Sequence, residues 1–227
     1  MRKTTGTTMD KLSEYAELVV ARKACRRCQG LENPATIQDG RFDSDQIGPW
    51  SMWQGNLDAA VLVVGQDWGD ADYFVENDGR DLPRNPTNRA LIELLDIVGV
   101  TVKPLGSPDL AHVAFFTNAI LCLKSGGLQG AVRPDWFRRC RHFLRRQIEI
   151  VRPKAVIYLG ERACRAVLES FDLLAKRFRD EVGDPDGRLL TTGSRAFAVY
   201  HCGTRIQNTH RPMAVQRIDW RRIRRHL

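Results

Sequence analysis

The sequence predicts an α/β protein, a three-layer α/β/α sandwich around a central, mostly parallel, four-stranded sheet. Four short apolar runs are rich in β-branched residues, which is typical of strands buried on both faces; they are Ala60–Val64, Val113–Thr117, Ala155–Leu159 and Ala196–Tyr200. Segments with helical spacing separate these runs. The chain shows no internal repeat and no convincing boundary, so we expect a single domain over residues 1–227.

The helices are predicted from apolar residues that recur every three or four positions. The first such segment covers residues 9–24 and leads directly into a cysteine pair. The later segments are Asn88–Val98, Pro134–Val151, Glu161–Ala175 and a closing Arg217–His226. Between Gln29 and Asn56 a mixture of Gly, Pro, Asp and Trp predicts a long ordered loop.

Composition excludes several classes of protein. The 227 residues are 43% hydrophobic, too apolar for a disordered chain, and 18 Gly and 10 Pro are too few for a collagen-like one.

Asp10, Glu14 and Glu17 interrupt the apolar positions near the start, unlike a signal peptide. No uncharged run approaches the roughly 18 residues that span a bilayer. We therefore expect a cytoplasmic protein without a membrane partner, and a monomer.

The net charge of +8 is concentrated in two arginine-rich segments. They contain Arg133, Arg138, Arg139, Arg141, Arg145 and Arg146, and near the C-terminus Arg217, Arg221, Arg222, Arg224 and Arg225. Taken alone, either segment is as consistent with a solvated helix face or a frayed tail as with a binding surface. Two such segments in one basic domain favour a polyanionic partner, whose binding weakens as salt rises.

Polar residues follow three of the predicted strands. Asp67 lies in Gly-Gln-Asp-Trp-Gly-Asp after the first strand, Asn118 comes after the second, and His201 after the fourth. In open α/β sheets, ligands bind in the crevice beyond the carboxyl ends of the strands. We therefore expect a carboxylate, an amide and an imidazole to meet in one pocket. The alternatives are a helix cap for Asp67, a turn residue for Asn118 and a structural histidine for His201.

The six cysteines have a suggestive spacing for a reducing compartment, where they hold metals or act in catalysis more often than they form disulfides. Cys25 and Cys28 form one pair, and Cys122 and Cys140 are separated by a glycine-containing segment that can loop back. Four such thiolates suit an iron-sulfur cluster or a tetrahedral zinc ion, and spacing does not choose between them. The alternative is two redox cysteines and two buried ones. We expect the remaining two, Cys164 and Cys202, to be packing residues.

Several motifs in order carry a family resemblance. CRRC is followed by GNLDAAVLVVGQDWGD, FFTNAILC, a cysteine in an Arg-rich helix, VRPKAVIYLGERA and VYHCGTR. This series resembles the uracil-DNA glycosylase superfamily, most closely its iron-sulfur, family-4-like branch. The resemblance implies that Cys25, Cys28, Cys122 and Cys140 hold a 4Fe-4S cluster, with zinc as the alternative. That cluster would tie the N-terminal segment, about residues 9–30, to the domain.

The resemblance also assigns the first two motifs. Asp67 falls where the classical enzymes have a water-orienting carboxylate, and Asn118 matches the asparagine that reads the polar edge of uracil. Gly65, Gln66, Trp68 and Gly69 would surround the base. Two departures stand out: Trp68 replaces a proline, and Gly69 replaces the tyrosine that excludes the methyl group of thymine. The exclusion of thymine is therefore not predicted.

The last motif keeps His201 of the usual His-Pro-Ser but replaces the other two residues with Cys202 and Gly203. The resemblance makes His201 catalytic. DNA-binding residues implied near it are Thr204, Arg205 and Ile206, as the wedge that fills the helix, with Arg138 and Arg139 on the Arg-rich helix. The family's stacking aromatic is not clearly matched, and Tyr73 or Phe74 is the candidate substitute.

These assignments predict a monofunctional DNA glycosylase of base excision repair, acting on DNA that contains uracil or another deaminated base. Because the first and last motifs are altered, the alternative hypothesis is a protein of the same fold that binds damaged or single-stranded DNA without turnover. A third hypothesis is a zinc-containing nucleic-acid-binding module without a base pocket.

Overall fold

The computed structural model describes residues 8–44, 56–80, 85–102, 114–127 and 130–227. In chain order its regular elements are α1 (Thr8–Ala24), β1 (Leu31–Glu32), a 3-10 segment (Pro34–Gly40), β2 (Val61–Gly65), α2 (Ala71–Glu76), α3 (Pro86–Ile97), β3 (Ala114–Asn118), β4 (Leu123–Lys124), α4 (Pro134–Val151), β5 (Ala155–Leu159), α5 (Glu161–Ser170), α6 (Phe178–Gly183), β6 (Arg188–Leu189), β7 (Arg195–Val199), α7 (Thr204–Thr209), α8 (Met213–Arg221) and a closing 3-10 turn (Ile223–His226).

The main sheet has the order β3-β2-β5-β7-β6, and its first four strands are parallel. The prediction of four strands was wrong, because the sheet in the described part of the chain has five. The extra strand, β6, pairs antiparallel with β7 at the edge. It is two residues long, too short to show any alternation of apolar and polar residues. A second, two-stranded sheet pairs β1 with β4 and was not predicted either.

The predicted α/β layers are confirmed, and most boundaries agree to within one or two residues. Helix α4 has the predicted bounds. Helix α5 ends at Ser170, five residues earlier than predicted, because Asp172 adopts a positive φ of 58°. There the Leu173 N–H donates to the Leu168 carbonyl and closes the helix. The predicted loop between residues 29 and 56 contains β1 and the first 3-10 segment, and its residues 45–55 lie outside the described ones, as does Val113 of the second predicted strand.

Helices cover both faces of the main sheet. On one face, residues of α1, α4 and α5 pack against Leu62, Phe115 and Val156. On the other face, Val63 packs with Leu94 of α3 and Trp220 of α8 in a second core. This burial on both faces explains why the strands are continuous apolar runs rather than alternating ones. Among the described residues, no helix combines the length and the apolarity needed to cross a membrane.

The N-terminal segment belongs to this core through contacts of its own. The Tyr15 ring meets Phe115 of β3 edge to face, with centroids 5.9 Å apart. Farther along, the Trp136 indole N–H of α4 donates to the Gln29 carbonyl over 3.0 Å. Protein contacts therefore hold this segment in place, and an additional tie through a metal cluster stays a prediction.

The strand order determines where a ligand can bind. From β2 the chain passes outward to β3, then returns across the sheet to β5 on the other side of β2. This change of direction is a topological switch point, and it opens a crevice at the carboxyl ends of the strands. Residues that follow β2, β3, β5 and β7 are directed to that crevice.

Candidate active site

A cavity of about 690 Å³ lies at the carboxyl ends of the parallel strands. Gly65 at the end of β2, Asn118 at the end of β3, Gly160 after β5 and His201 after β7 all line it. Asp67 lines the same cavity from the loop after β2. The structure thus brings together the carboxylate, the amide and the imidazole that the sequence placed 51 to 134 positions apart.

The Asp67 carboxylate is held by a set of donors. Its Oδ1 accepts the backbone N–H of Gly69 at 2.8 Å and the Nζ of Lys124 at 3.1 Å. Its Oδ2 accepts the side-chain amide of Gln66 at 2.5 Å. The Asp67 side chain is 10% exposed and that of Lys124 only 5%. Asp67 is therefore an ion-paired residue of the cavity wall, and it does not cap the α2 helix, which Asp70 caps instead.

Asn118 lies across the end of β2. It is buried, and its register partner in the parallel ladder is Gly65. A Cβ atom added at Gly65 would lie 2.0 Å from the Asn118 Oδ1, so the amide occupies space that only glycine leaves free. The Ala119 N–H donates to the Gly65 carbonyl at 2.9 Å and continues the contact past the strand end. This arrangement places an amide, which can both donate and accept a hydrogen bond, in the cavity wall.

His201 has a defined tautomer. The backbone N–H of Gly203 donates to its Nδ1 at 3.0 Å, so in the neutral ring the proton resides on Nε2. Burial lowers the pKa of His201, and the nearby Asp67 charge opposes this effect only partly. A Cβ atom at position 203 would lie only 2.9 Å from the His201 Nδ1, so glycine at this position avoids a steric clash with the ring. His201 is thus a neutral hydrogen-bond donor in the cavity wall.

The other predicted base-contacting residues also line the cavity, but two have additional structural roles. Trp68 is buried in a small cluster with Phe74 and Leu123. Gly69 has a φ of 92°, a conformation that favours glycine. A backbone requirement, in addition to any effect on thymine, therefore accounts for glycine at position 69. Both aromatic candidates line the cavity; Phe74 is buried and Tyr73 is partly exposed.

The predicted wedge lies at the rim. Helix α7 begins at Thr204, directly after the His201 turn. Thr204 and Arg205 are exposed, and Ile206 contributes to the cavity wall. The structure thus places an apolar side chain beside the opening, with exposed polar ones next to it.

The arginine-rich segments are only partly free surface. On α4, Arg138 is exposed and the Arg139 guanidinium donates to the Arg27 carbonyl, whereas Arg146 pairs with Glu14 at 2.8 Å. Near the C-terminus, Arg222 donates to the Ala198 carbonyl at 2.6 Å. Part of the positive charge is therefore used inside the protein, and exposed residues such as Arg138 remain available to a polyanion.

The four predicted metal ligands line a second cavity, of about 180 Å³. They are Cys25, Cys28, Cys122 and Cys140. Burial, followed by the neighbouring Cys25 and Cys28 thiols, raises the pKa of Cys122 to about 12. In the described residues, however, no three His, Cys, Asp or Glu side chains form a group that could hold a metal ion. The four cysteines therefore line one cavity, and a metal ion or cluster at this place stays a prediction.

The remaining cysteines are packing residues, as expected. Cys164 and Cys202 are buried in the two cores. Burial raises the pKa of each to about 12, so neither is a thiolate nucleophile at neutral pH. The Cys202 thiol donates weakly to the Thr87 carbonyl at 3.5 Å.

Sequence reasoning missed Lys124, which pairs with Asp67. Lys124 follows the second motif by six positions, and no distinctive pattern marks it among the 35 lysines and arginines of the chain. Arg80 and Arg162 also line the cavity and were not singled out. Their common signal, a cation near a strand end, is too frequent in a basic protein to be selective.

Comparison with known proteins agrees with this geometry. Residues 52–222 match the model of the family described as the uracil DNA glycosylase superfamily. The chain is also 29% identical over 210 residues to a "Type-5 uracil-DNA glycosylase" of Pyrobaculum aerophilum, an alignment that covers 87% of this chain and 86% of the relative. The family-4-like branch stays a prediction. The family match covers all five strands of the main sheet, the residues that line the larger cavity and all three motifs. The chain therefore belongs to the uracil-DNA glycosylase superfamily.

Proposed function

We propose that this protein is a monofunctional DNA glycosylase of base excision repair that hydrolyses the N-glycosidic bond of uracil or a related deaminated base. The observation that carries the proposal is the convergence of Asp67, Asn118 and neutral His201 on one cavity. A nucleotide must leave the stacked duplex to reach such a cavity, and a mispaired base leaves most easily. The "Type-5 uracil-DNA glycosylase" relative supports the same substrate class.

Breaking the glycosidic bond separates charge; His201 and Asp67 each meet one part of that charge, and Asn118 recognises the base. The sugar becomes cationic while the base leaves as an anion. The His201 Nε2–H donates to the base oxygen that gains negative charge, with backbone N–H groups around Gln66 in support. Asp67 stabilises the sugar cation and orients the attacking water. Asn118 pairs with the polar edge of the base, since a wrong base leaves a buried amide unpaired at a cost of about 1 to 3 kcal/mol.

The test uses oligonucleotides that carry uracil, hypoxanthine, xanthine or a thymine mispair, in single and double strands. Wild-type protein should produce abasic sites that alkali converts into strand breaks, with no breaks before alkali. Asp67→Asn and His201→Ala should each slow excision about a hundredfold or more while changing DNA affinity far less. Binding without excision by the wild-type protein would favour the alternative, a damaged- or single-stranded-DNA-binding protein.

We further propose that Cys25, Cys28, Cys122 and Cys140 hold a 4Fe-4S cluster. Their placement around one cavity supports this, as does the presence of Arg26 and Arg27 in the same wall, whose charges would offset that of an anionic cluster. When bound, the cluster would supply a structural cross-link between the N-terminal segment and α4. No step of the hydrolysis requires it.

A further inference from the structure

Lys124 is a buried cation inside the proposed active site. Its side chain is 5% exposed, it lines the same cavity as His201 and Asn118, and its Nζ lies 3.1 Å from the Asp67 Oδ1. A lysine loses considerable side-chain entropy when it is buried and needs a compensating partner. That partner is the carboxylate on which the proposed reaction depends.

The backbone fixes Lys124 from two sides. In the β1–β4 ladder it is the register partner of Leu31. Its own N–H donates to the Gly69 carbonyl at 3.1 Å, and it forms a parallel bridge with Asp70. The loop that carries Asp67 is therefore joined to β4 through the main chain as well as through the ion pair. A lysine held in this way has little freedom to leave the carboxylate.

The hydrogen bonds leave Asp67 with a single preferred acceptor position. An ionised carboxylate offers about four lone-pair sites, two on each oxygen. Lys124 and the Gly69 N–H take both sites on Oδ1, and the Gln66 amide takes one on Oδ2. Among the described residues these three donors are the bonding partners of the carboxylate. One site on Oδ2 remains for a water molecule.

Electrostatics favours an orienting role over a purely stabilising one. A cation beside Asp67 weakens the field with which the carboxylate would stabilise a cationic sugar. Removing the cation, on the other hand, leaves an uncompensated charge on a carboxylate that is only 10% exposed, where solvent screens it poorly. The arrangement therefore sacrifices some electrostatic strength to hold the carboxylate in one orientation.

We propose that Lys124 is a positioning residue that fixes the Asp67 carboxylate through its Oδ1, so that the open site on Oδ2 orients the attacking water. The inference rests on the proposed glycosylase function. Lys124 acts through Asp67 and does not itself react with DNA.

The test is a double-mutant cycle on the single-turnover rate of uracil excision, with DNA affinity measured separately. Lys124→Met should lower the rate about a hundredfold, the loss typical of a misplaced catalytic group, without a comparable loss of affinity. Added to Asp67→Asn, the same change should cause almost no further loss, because the carboxylate it positions is absent. Lys124→Arg keeps the charge and should recover part of the rate, which also covers the case in which Lys124→Met fails to fold.

A matched control is Lys176→Met. Lys176 also pairs with an aspartate, Asp184 at 3.4 Å, but it is 55% exposed, and its replacement should leave the excision rate unchanged. An active wild type with equal losses from Lys124→Met in both backgrounds would overturn the positioning role while leaving the glycosylase function intact. An inactive wild type would overturn both. A complex with abasic DNA that borohydride traps, and that Lys124→Met abolishes, would assign Lys124 to imine chemistry and also overturn the proposal.

Discussion

At the scale of single residues, the site depends on glycines that leave room for functional side chains. Gly65 makes room for the Asn118 amide, and Gly203 for the His201 ring. Neither role is visible in the sequence, because the atoms that would collide belong to a neighbouring strand or to a folded turn. The absence of a side chain at these two glycines therefore shapes the cavity as directly as the polar residues do.

Gly65→Ala is expected to disable base recognition without unfolding the protein. The new methyl group would lie 2.0 Å from the Asn118 Oδ1, and a side-chain amide can turn away more easily than backbone can move. A misdirected amide costs about 1 to 3 kcal/mol, which predicts excision about fivefold to a hundredfold slower. Gly183→Ala is the control, because a Cβ there meets open space. Equal rates for Gly65→Ala and wild type would contradict the assignment of Asn118.

His201 is expected to make stability depend on pH. Burial lowers its pKa below the ordinary value of 6.5, so the unfolded chain binds a proton more readily than the folded one. The free energy of unfolding is therefore unaffected by the protonation of His201 above about pH 6.5. It decreases as the pH falls from 6.5 toward the lower pKa of the folded state, because the unfolded chain takes up the proton first. Melting temperatures should therefore fall less between pH 7 and 5 in His201→Gln than in wild type. Parallel pH profiles would show that His201 is not buried as a neutral ring.

At the scale of elements, two very short strands connect the two cavities. Cys122, in the wall of the cysteine cavity, immediately precedes β4, and β4 ends at Lys124 in the wall of the active site. Pairing with β1 then connects β4 to the segment that carries Cys25 and Cys28. Strands of two residues have no detectable pattern, so this connection could not be predicted from the sequence.

Loss of one ligand should release the proposed cluster. Cys140→Ser is expected to purify with little iron and sulfide and without broad visible absorption, because a hydroxyl is a poor replacement for a thiolate ligand of iron. Cys164→Ser is the control, since Cys164 is also buried but does not line that cavity. A wild-type protein that binds zinc and no iron would refute the cluster. Equal iron content in both variants would refute the ligand assignment.

At the scale of the whole molecule, the sheet order concentrates function at one edge. The crevice opens where the strand order changes direction at β2, whose two neighbours are β3 and β5. The loop that follows each parallel strand is directed to this crevice. The amino ends of the strands form the opposite edge, where Arg195 begins β7. A basic protein can therefore carry arginines that face DNA and arginines that do not.

Arg138 is expected to contribute to DNA affinity by contacting phosphate. It is exposed on α4, and its replacement by Ala should weaken binding uniformly across sequences and reduce the slope of log affinity against log salt by about one. Arg195→Ala is the control, because Arg195 lies at the far edge and donates to the Asp186 carbonyl at 2.9 Å. Titrations by fluorescence anisotropy at several salt concentrations measure both slopes. Equal slopes for wild type and Arg138→Ala would exclude a phosphate contact.

The sequence by itself determined the layers, the four parallel strands, the bounds of α4 and the three motif residues of the site. It could do so because double-sided burial, helical periodicity and motif order are local properties of the chain. Only the tertiary structure decided the fifth strand, the proton position on His201 and the pairing of Asp67 with Lys124, 57 positions away. These features depend on which groups meet across space. Neither a two-residue strand nor a lysine outside any motif carries that information along the chain.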